Sequence, residues 1–190
     1  MSSFFIPTVS ADNRFLRASV VRAPGVTFDG RFEKRLFRGD ETPPAGLVCV
    51  AAGTDAPDWL GNSRRLPIVS ERLALAMKNA GLKGVDFYPA TVEAPGGKTL
   101  AYAGLIARGR AMLHVEHSGS EFELQTGLVI TAPLAVGAFV VEPESWDGSD
   151  LFIVAEDPLQ AIFSAKAAAV INALGPVGFA LEPAETFRPS

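Results

Sequence analysis

The chain has 190 residues, of which 48% are hydrophobic and 20% are charged, and its formal net charge is −4. This composition is typical of a folded protein with a large core, and one domain over residues 1–190 is the default for this length. The mild acidity argues against a nucleic-acid binder, which normally carries a basic patch, and is compatible with a basic protein partner.

Residues 1–45 are the least regular part of the sequence, with turn signals at 23–25, 29–30 and 42–44. We therefore expect an irregular N-terminal arm there. The first residues lack a basic start followed by a long apolar stretch, so we expect no signal peptide. No apolar run reaches the ~18 residues that a membrane span needs. The sequence thus predicts a cytoplasmic protein without membrane contact.

The single cysteine, Cys49, lies in the apolar run 47–51, which is typical of a buried strand. One cysteine cannot form an intramolecular disulfide, so nothing indicates an oxidising compartment. Its neighbours are apolar, whereas a reactive thiol needs a positive and partly exposed setting. We expect Cys49 to be a small buried hydrophobic residue.

One pattern occurs twice without a gap, at 68–90 and again at 162–184. The identical positions include a serine, two glycines and a closing Pro-Ala. In each copy the serine predicts a helix N-cap, the first glycine a helix end, and the second glycine the entry to a strand. The repeat therefore predicts two strand–helix–strand units, the first at 66–90 and the second at 162–184.

The second copy contains two competing helix starts. Asp157 with Pro158 and Gln160 forms a good start for a helix that would run to Leu174. The repeat instead makes 162–163 a strand and Ser164 the cap. We favour Ser164, because the spacing coincides through the second glycine and on to the final Pro-Ala.

The middle of the chain, 99–154, has a β-rich pattern, with turn signals at 96–98 and 108–110 that we interpret as hairpins. The fold class expected from these patterns is α+β. It comprises a largely antiparallel sheet and two pseudo-symmetric strand–helix–strand units.

Candidate chemistry is sparse. His114 and Glu116 would share one face of a strand and could form a polar site, while His117 would point to the other face. No serine lies in a G-x-S-x-G turn, and no phosphate loop is present. We predict no catalytic residue, no metal site and no cofactor.

An acidic stretch surrounds Trp146. An aromatic residue ringed by acids can anchor a basic protein partner, although a solvated loop is the alternative. The candidate partner-binding residues are Glu142, Glu144, Trp146, Asp147, Asp150 and Glu156.

Three blocks of the sequence resemble a known family signature. They are Asp58-Trp59-Leu60, the segment 66–73 (LPIVSERL) and the segment 81–89 (GLKGVDFYP). Together they match the pattern D-h-L, h-V-S-E-R-L and G-h-x-G-V-x-F-x-P, where h is apolar. The chain thereby resembles an immunity-protein family of bacterial polymorphic toxin systems, the one numbered eleven and formerly called a domain of unknown function. The second copy departs from the pattern at Ala165, where the family has Glu.

The resemblance implies a non-catalytic cytoplasmic protein that binds and neutralises a cognate protein toxin. Two alternatives stay open at this point. One is a small-molecule-binding protein or enzyme with a site between the two repeat halves, and the other is a structural or assembly subunit. The sequence does not indicate the oligomeric state.

Overall fold

The computed structural model describes residues 4–29, 31–62, 66–114, 121–122, 133–135, 139–155 and 157–187. The fold is α+β with mostly antiparallel sheets, which confirms the expected class. The helices are α1 (Phe32–Arg38), α2 (Glu71–Asn79) and α3 (Ala165–Leu174). The strands are β1 (Phe4–Val9), β2 (Arg17–Arg22), β3 (Leu47–Ala52), β4 (Gly61–Asn62), β5 (Ile68–Ser70), β6 (Val85–Ala94), β7 (Lys98–Ala107), β8 (Gly109–Ala111), β9 (Glu121–Phe122), β10 (Pro133–Ala135), β11 (Leu151–Val154), β12 (Ile162–Ser164) and β13 (Phe179–Pro183).

Three sheets are built from these strands. The largest has the order β4-β2-β3-β6-β7-β5, the second has the order β13-β1-β12-β11-β8, and β9 pairs with β10. The pairs β2–β4, β3–β6 and β8–β11 are parallel, and the other described pairs are antiparallel. The longest strands of the first sheet, β6 and β7, form a hairpin. Its turn at Pro95–Gly97 lies where the glycines predict one.

The first unit (β5, α2, β6) and the second unit (β12, α3, β13) place their strands in the same way. In each unit the two strands lie on either side of one antiparallel strand, which is β7 for the first and β1 for the second. Val69 and Pro89 both face Ala103 in the first unit. Phe163 and Pro183 both face Phe5 in the second.

The second unit begins where the repeat predicts. Ile162–Ser164 is a strand, and the Ser164 hydroxyl accepts a hydrogen bond from the backbone N–H of Ala167. The competing start at Asp157 forms only a local turn, in which its carboxylate accepts from the N–H of Leu159 at 3.2 Å. Strand pairing of Ile162 and Phe163 with β11 and β1 excludes a helix through these residues.

Two regions differ from the sequence expectation. Residues 4–38, part of the expected irregular arm, contain β1, β2 and α1. The strand β1 forms because it pairs with β12 and β13, which lie near the other end of the chain. The predicted hairpin turn at 108–110 is wrong. Gly109–Ala111 is itself a strand that pairs in parallel with β11, and it belongs to a different sheet from β7.

The main core lies between the six-stranded sheet and the helices. It includes side chains of α1 and α2 and reaches Phe163, Ala167 and Ile171 of the second unit. A smaller cluster forms around Phe152, Phe139 and Ile6 on the five-stranded sheet. The helices α2 and α3 contact each other, so the two units share one continuous core.

Candidate functional site

Asp58 lies shortly before the first unit and is only 2% exposed. Its carboxylate accepts hydrogen bonds from the Ser70 hydroxyl, from the Arg72 guanidinium and from the backbone N–H of Val177. The same Ser70 oxygen accepts from the N–H of Leu73 and so caps α2. Asp58 therefore holds the N-terminus of α2 and also a loop of the second unit.

Asp150 makes the corresponding set of contacts in the second unit and is 6% exposed. Its carboxylate accepts from the Ser164 hydroxyl at 2.9 Å, from the Lys166 ammonium at 3.0 Å and from the backbone N–H of Lys83 at 2.8 Å. Ser164 caps α3. Asp150 thus holds α3 and also a loop of the first unit.

Each of these aspartates also makes a backbone hydrogen bond to the loop of the other unit. The N–H of Asp58 donates to the carbonyl of Val177 at 2.8 Å, and the N–H of Asp150 donates to the carbonyl of Lys83 at 2.9 Å. Lys83 and Val177 occupy the same position in the two copies of the repeat. We call the contacts of Asp58 and Asp150 the two aspartate clamps.

The second glycine of each unit lets the two chain segments approach. Gly84 has a φ of +76°, and a Cβ there would lie 2.5 Å from the carbonyl oxygen of Leu151. Gly178 has a φ of +78°, and a Cβ there would lie 2.5 Å from the side chain of Pro57. Both glycines therefore lie against the segment that carries the clamping aspartate of the other unit.

Electrostatics keeps both clamps ionised. Burial alone would raise the pKa of the Asp58 carboxyl, but hydrogen bonds from Arg72, Ser70 and Val177 outweigh it and hold the pKa below its usual value. Burial likewise opposes ionisation of Asp150, and hydrogen bonds from Lys83, Lys166 and Ser164 lower its pKa. Both carboxylates therefore keep their charge under ordinary conditions.

Three polar residues of the sequence blocks 58–60 and 66–73 thus have structural roles. Asp58, Ser70 and Arg72 form the first clamp, and Gly84 permits the close approach of the segment that carries Asp150. Sequence patterns predicted the cap at Ser70 and the turn at Gly84, but they missed the clamp itself. The signal that could have found it was an aspartate shortly before each capping serine, Asp58 in one unit and Asp150 in the other.

The candidate partner-binding residues do not form one group. Asp150 is buried in its clamp. Trp146 is half-buried: its ring lies edge-on against Phe4 and at 47° to Phe152, and its indole N–H donates to the carbonyl of Ser149 at 3.0 Å. Glu142, Glu144 and Asp147 lie at the surface. Glu156 lies outside the described residues.

The three surface acids lie on a loop next to the chain segment that carries Met112, an apolar residue that is 54% exposed. The loop that carries the acids is bonded to the strand segment beside it. The N–H of Glu142 donates to the carbonyl of Met112 at 2.8 Å, and Asp147 exchanges hydrogen bonds with the backbone of Arg110. We call Met112, Glu142, Glu144 and Asp147 the acidic face, and its backbone is held in place before any partner binds.

His114 lies beside the acidic face. Its Nε2 is 3.6 Å from a carboxylate oxygen of Glu142, so the two form an ion pair when the imidazole is protonated. Glu116, the other member of the predicted polar site, lies outside the described residues. Within the described ranges, no group of three His, Cys, Asp or Glu side chains could hold a metal ion.

A groove of about 600 Å³ lies between α2 and the strands β6 and β7. The α2 side contributes Glu71, Leu75 and Lys78, and the sheet contributes Phe87 and Pro89. The ammonium of Lys78 lies 4.9 Å from the centre of the Phe87 ring. Its lining residues all lie within 71–103, so this groove is not a cleft between the two repeat halves.

Cys49 is fully buried, and burial raises the pKa of its thiol to about 12. This matches the expectation of an inert thiol inside the main core. The hydroxyl of Tyr88 has no hydrogen-bond partner in the described part of the chain, and burial, with smaller contributions from Cys49 and Glu33, raises its pKa. A neutral thiol and a neutral phenol do not supply a nucleophile at neutral pH.

Comparison with models of known protein families finds no match for this chain, and comparison with curated proteins finds none either. No helix in the described residues is long and apolar enough to cross a membrane.

Proposed function

We propose that this chain is a non-catalytic immunity protein that binds and neutralises a cognate bacterial toxin in the cytoplasm. The observation that carries the proposal is the acidic face, in which a loop with three surface carboxylates is hydrogen-bonded to the segment that carries the exposed Met112. An apolar centre with a charged rim is the usual arrangement of a protein-binding surface. The resemblance to the immunity family supplies the identity of the partner as a toxin.

The charge distribution along the chain favours a basic partner. Residues 1–110 contain 15 of the 17 Lys and Arg and 10 of the 21 Asp and Glu, whereas residues 111–190 contain two basic and eleven acidic residues. The acidic face lies in this second part. Opposite surface potentials increase the association rate of two proteins, and proteins that act on nucleic acids are commonly basic.

We further propose that the two units are related by pseudo-two-fold symmetry and act as a rigid scaffold for that face. The support is the shared strand register about β7 and β1, together with the two reciprocal aspartate clamps. Asp150 adjoins the loop of the acidic face, so the clamp fixes the place where that loop ends.

The proposal is tested by co-expression with the toxin encoded beside the gene, followed by measurement of the affinity of the purified pair. The variant Glu142→Lys/Glu144→Lys should weaken binding at least tenfold and reduce its dependence on salt, because a rim charge contributes mainly through long-range attraction. Glu182→Lys is the matched control, since it reverses an exposed acid on β13 and should leave affinity unchanged.

Two results would contradict the proposal. Absence of both a complex and protection against the neighbouring toxin would remove the immunity function. A complex whose affinity is the same for wild type and for the double reversal would retain the function and remove the acidic face as its contact.

A further inference from the structure

The outer face of α2 carries a pattern that matches itself when its direction is reversed. Glu71, Leu75 and Lys78 are spaced at i, i+4 and i+7, so they lie on one side of the helix. All three are exposed, and Leu75 is 55% exposed, the highest value among the exposed large hydrophobic side chains of the described residues. The acid and the base are separated by about 10 Å along the helix axis.

Leu75 lies next to the midpoint between the two charges. In two α2 helices that pass each other in opposite directions with Leu75 at the crossing, Glu71 of each helix faces Lys78 of the other. The same pair therefore forms twice, and the two Leu75 side chains meet between them. Self-complementarity of this kind is what a two-fold symmetric interface requires, because one surface must fit a copy of itself.

The groove lies directly beside the exposed face of α2. One flank of α2 contacts α3, and the other flank borders the groove, whose floor contains Phe87, Pro89 and Ala103. Lys78 lies over Phe87, so its charge is held at the groove and not directed away from it. The remaining charged residue of the groove, Arg72, is already bound to Asp58.

We propose that a second copy of this chain fills the groove, forming a symmetric dimer in which two α2 helices lie antiparallel between two six-stranded sheets. In this dimer, α2 of each copy lies in the groove between α2 and the strands β6 and β7 of the other copy. This interface is separate from the acidic face, which lies at the β8 edge of the five-stranded sheet, so the proposal does not depend on the proposed function.

The helix α3 is an internal comparison. At the positions that correspond to Glu71, Leu75 and Lys78 it has Ala165, Ala169 and Asn172. All three are exposed, like their counterparts, but they carry no charge and no large apolar group. The self-complementary pattern is therefore not a requirement of the strand–helix–strand unit, and of the two repeat helices only α2 carries it.

The test is the molecular mass in solution, measured by sedimentation equilibrium over a range of concentrations, for wild type, Glu71→Lys and Lys78→Glu. Wild type should dimerise. Each single variant should be monomeric at concentrations where wild type is dimeric, because each places two like-charged pairs in the interface. An equimolar mixture of the two variants should dimerise again, because the mixed pair restores both opposite-charge contacts.

Ala165→Lys and Asn172→Glu on α3 are the matched controls and should leave the wild-type mass unchanged. Leu75→Ser keeps both charges and should weaken the dimer about tenfold by removing its apolar centre. Circular dichroism of every variant establishes that the fold is retained, and Leu75→Ser keeps the test decisive if a charge reversal unfolds the chain.

A wild-type protein that stays monomeric up to ~0.5 mM would overturn the proposal and leave the groove to a different occupant. At this concentration only a very weak interface stays unoccupied. Dimeric single variants, or a mixture that stays monomeric, would overturn the antiparallel arrangement of α2.

Discussion

Removal of the Asp58 carboxylate tests the clamp that joins the two units. The variant Asp58→Ala leaves the Ser70 hydroxyl, the Arg72 guanidinium and the N–H of Val177 without their acceptor. A hydrogen bond to a charged group contributes about 1.5 kcal/mol or more when it is buried. Arg72 is nearly half exposed and regains water, so its share is small. We therefore expect the free energy of unfolding to fall by about 3 kcal/mol.

The assay is equilibrium unfolding in urea, followed by circular dichroism. Asp55→Ala is the matched control: this neighbouring aspartate is exposed and its side chain bonds only to Thr54 in the described structure, so we expect a change within about 0.5 kcal/mol. Asp150→Ala should cost as much as Asp58→Ala to within about 1 kcal/mol, because its acceptor contacts are the same in kind. A loss below about 1 kcal/mol for both variants would refute the clamp as a source of stability.

The same contacts, and the burial of Cys49, lead to three further expectations. The pKa of Asp58 and of Asp150 is lower in the folded protein than in the unfolded chain, so the stability they contribute is present above the unfolded pKa of 3.8 and is lost as pH falls through the folded values. The free energy of unfolding should therefore fall less steeply with decreasing pH in the double variant Asp58→Asn/Asp150→Asn. An unchanged pH profile would contradict this expectation. Gly84→Ala should destabilise the protein more than Gly81→Ala. Both glycines have a positive φ, but of the two only Gly84 has backbone and side-chain atoms close to the position of an added Cβ. The free energy of unfolding should fall by about 1 kcal/mol in the Gly81 variant, and equal melting temperatures for the two variants would count against the close approach at Gly84. Cys49 should resist a thiol reagent at pH 8 in the native protein and react within seconds once the chain is unfolded in urea, whereas rapid native labelling would show that the thiol is accessible.

The sequence blocks 58–60, 66–73 and 81–89 contain residues with identifiable roles in the fold. Asp58, Ser70 and Arg72 form the first clamp, and Gly84 permits the close approach of the segment that carries Asp150. The second unit uses the same solution, and the residues in the corresponding roles are Asp150, Ser164, Lys166 and Gly178. These residues therefore serve the packing of the two units, and none of them belongs to the acidic face.

Predictions from local patterns held where local chemistry decides the outcome. Ser70 and Ser164 cap their helices because a serine hydroxyl can accept a backbone N–H within its own turn. The glycines after each helix adopt positive φ, which no other residue does at low cost. Ser164, and not Asp157, caps α3 because residues 162–164 pair as a strand. The repeat predicts that strand, whereas the local helix-start pattern at Asp157 carries no information on strand pairing.

The turn prediction at 108–110 failed because distant contacts decide the structure there. Gly109 resembles a turn residue, yet it lies in β8. The chain passes close to Ser149 and Leu151 there, and a Cβ at position 109 would lie 2.4 Å from Ser149, so only glycine fits. The acidic stretch 142–157 has one composition but several environments, since Asp150 is buried in a clamp while Glu144 is exposed. Composition cannot separate these two carboxylates, because burial depends on elements far away in the chain.

Local side-chain chemistry and hydrophobic pattern were enough to specify the α+β class, the caps and ends of α2 and α3, and the burial of Cys49. Long-range packing, by contrast, selected which aspartates join the two units, placed β1 and β7 between the strands of each unit, and set which face of α2 borders a groove. These features depend on contacts between segments that are far apart in the chain, and chain connectivity does not specify them. The sequence repeat identified both segments, and the aspartate clamps are the contacts through which the two segments pack together.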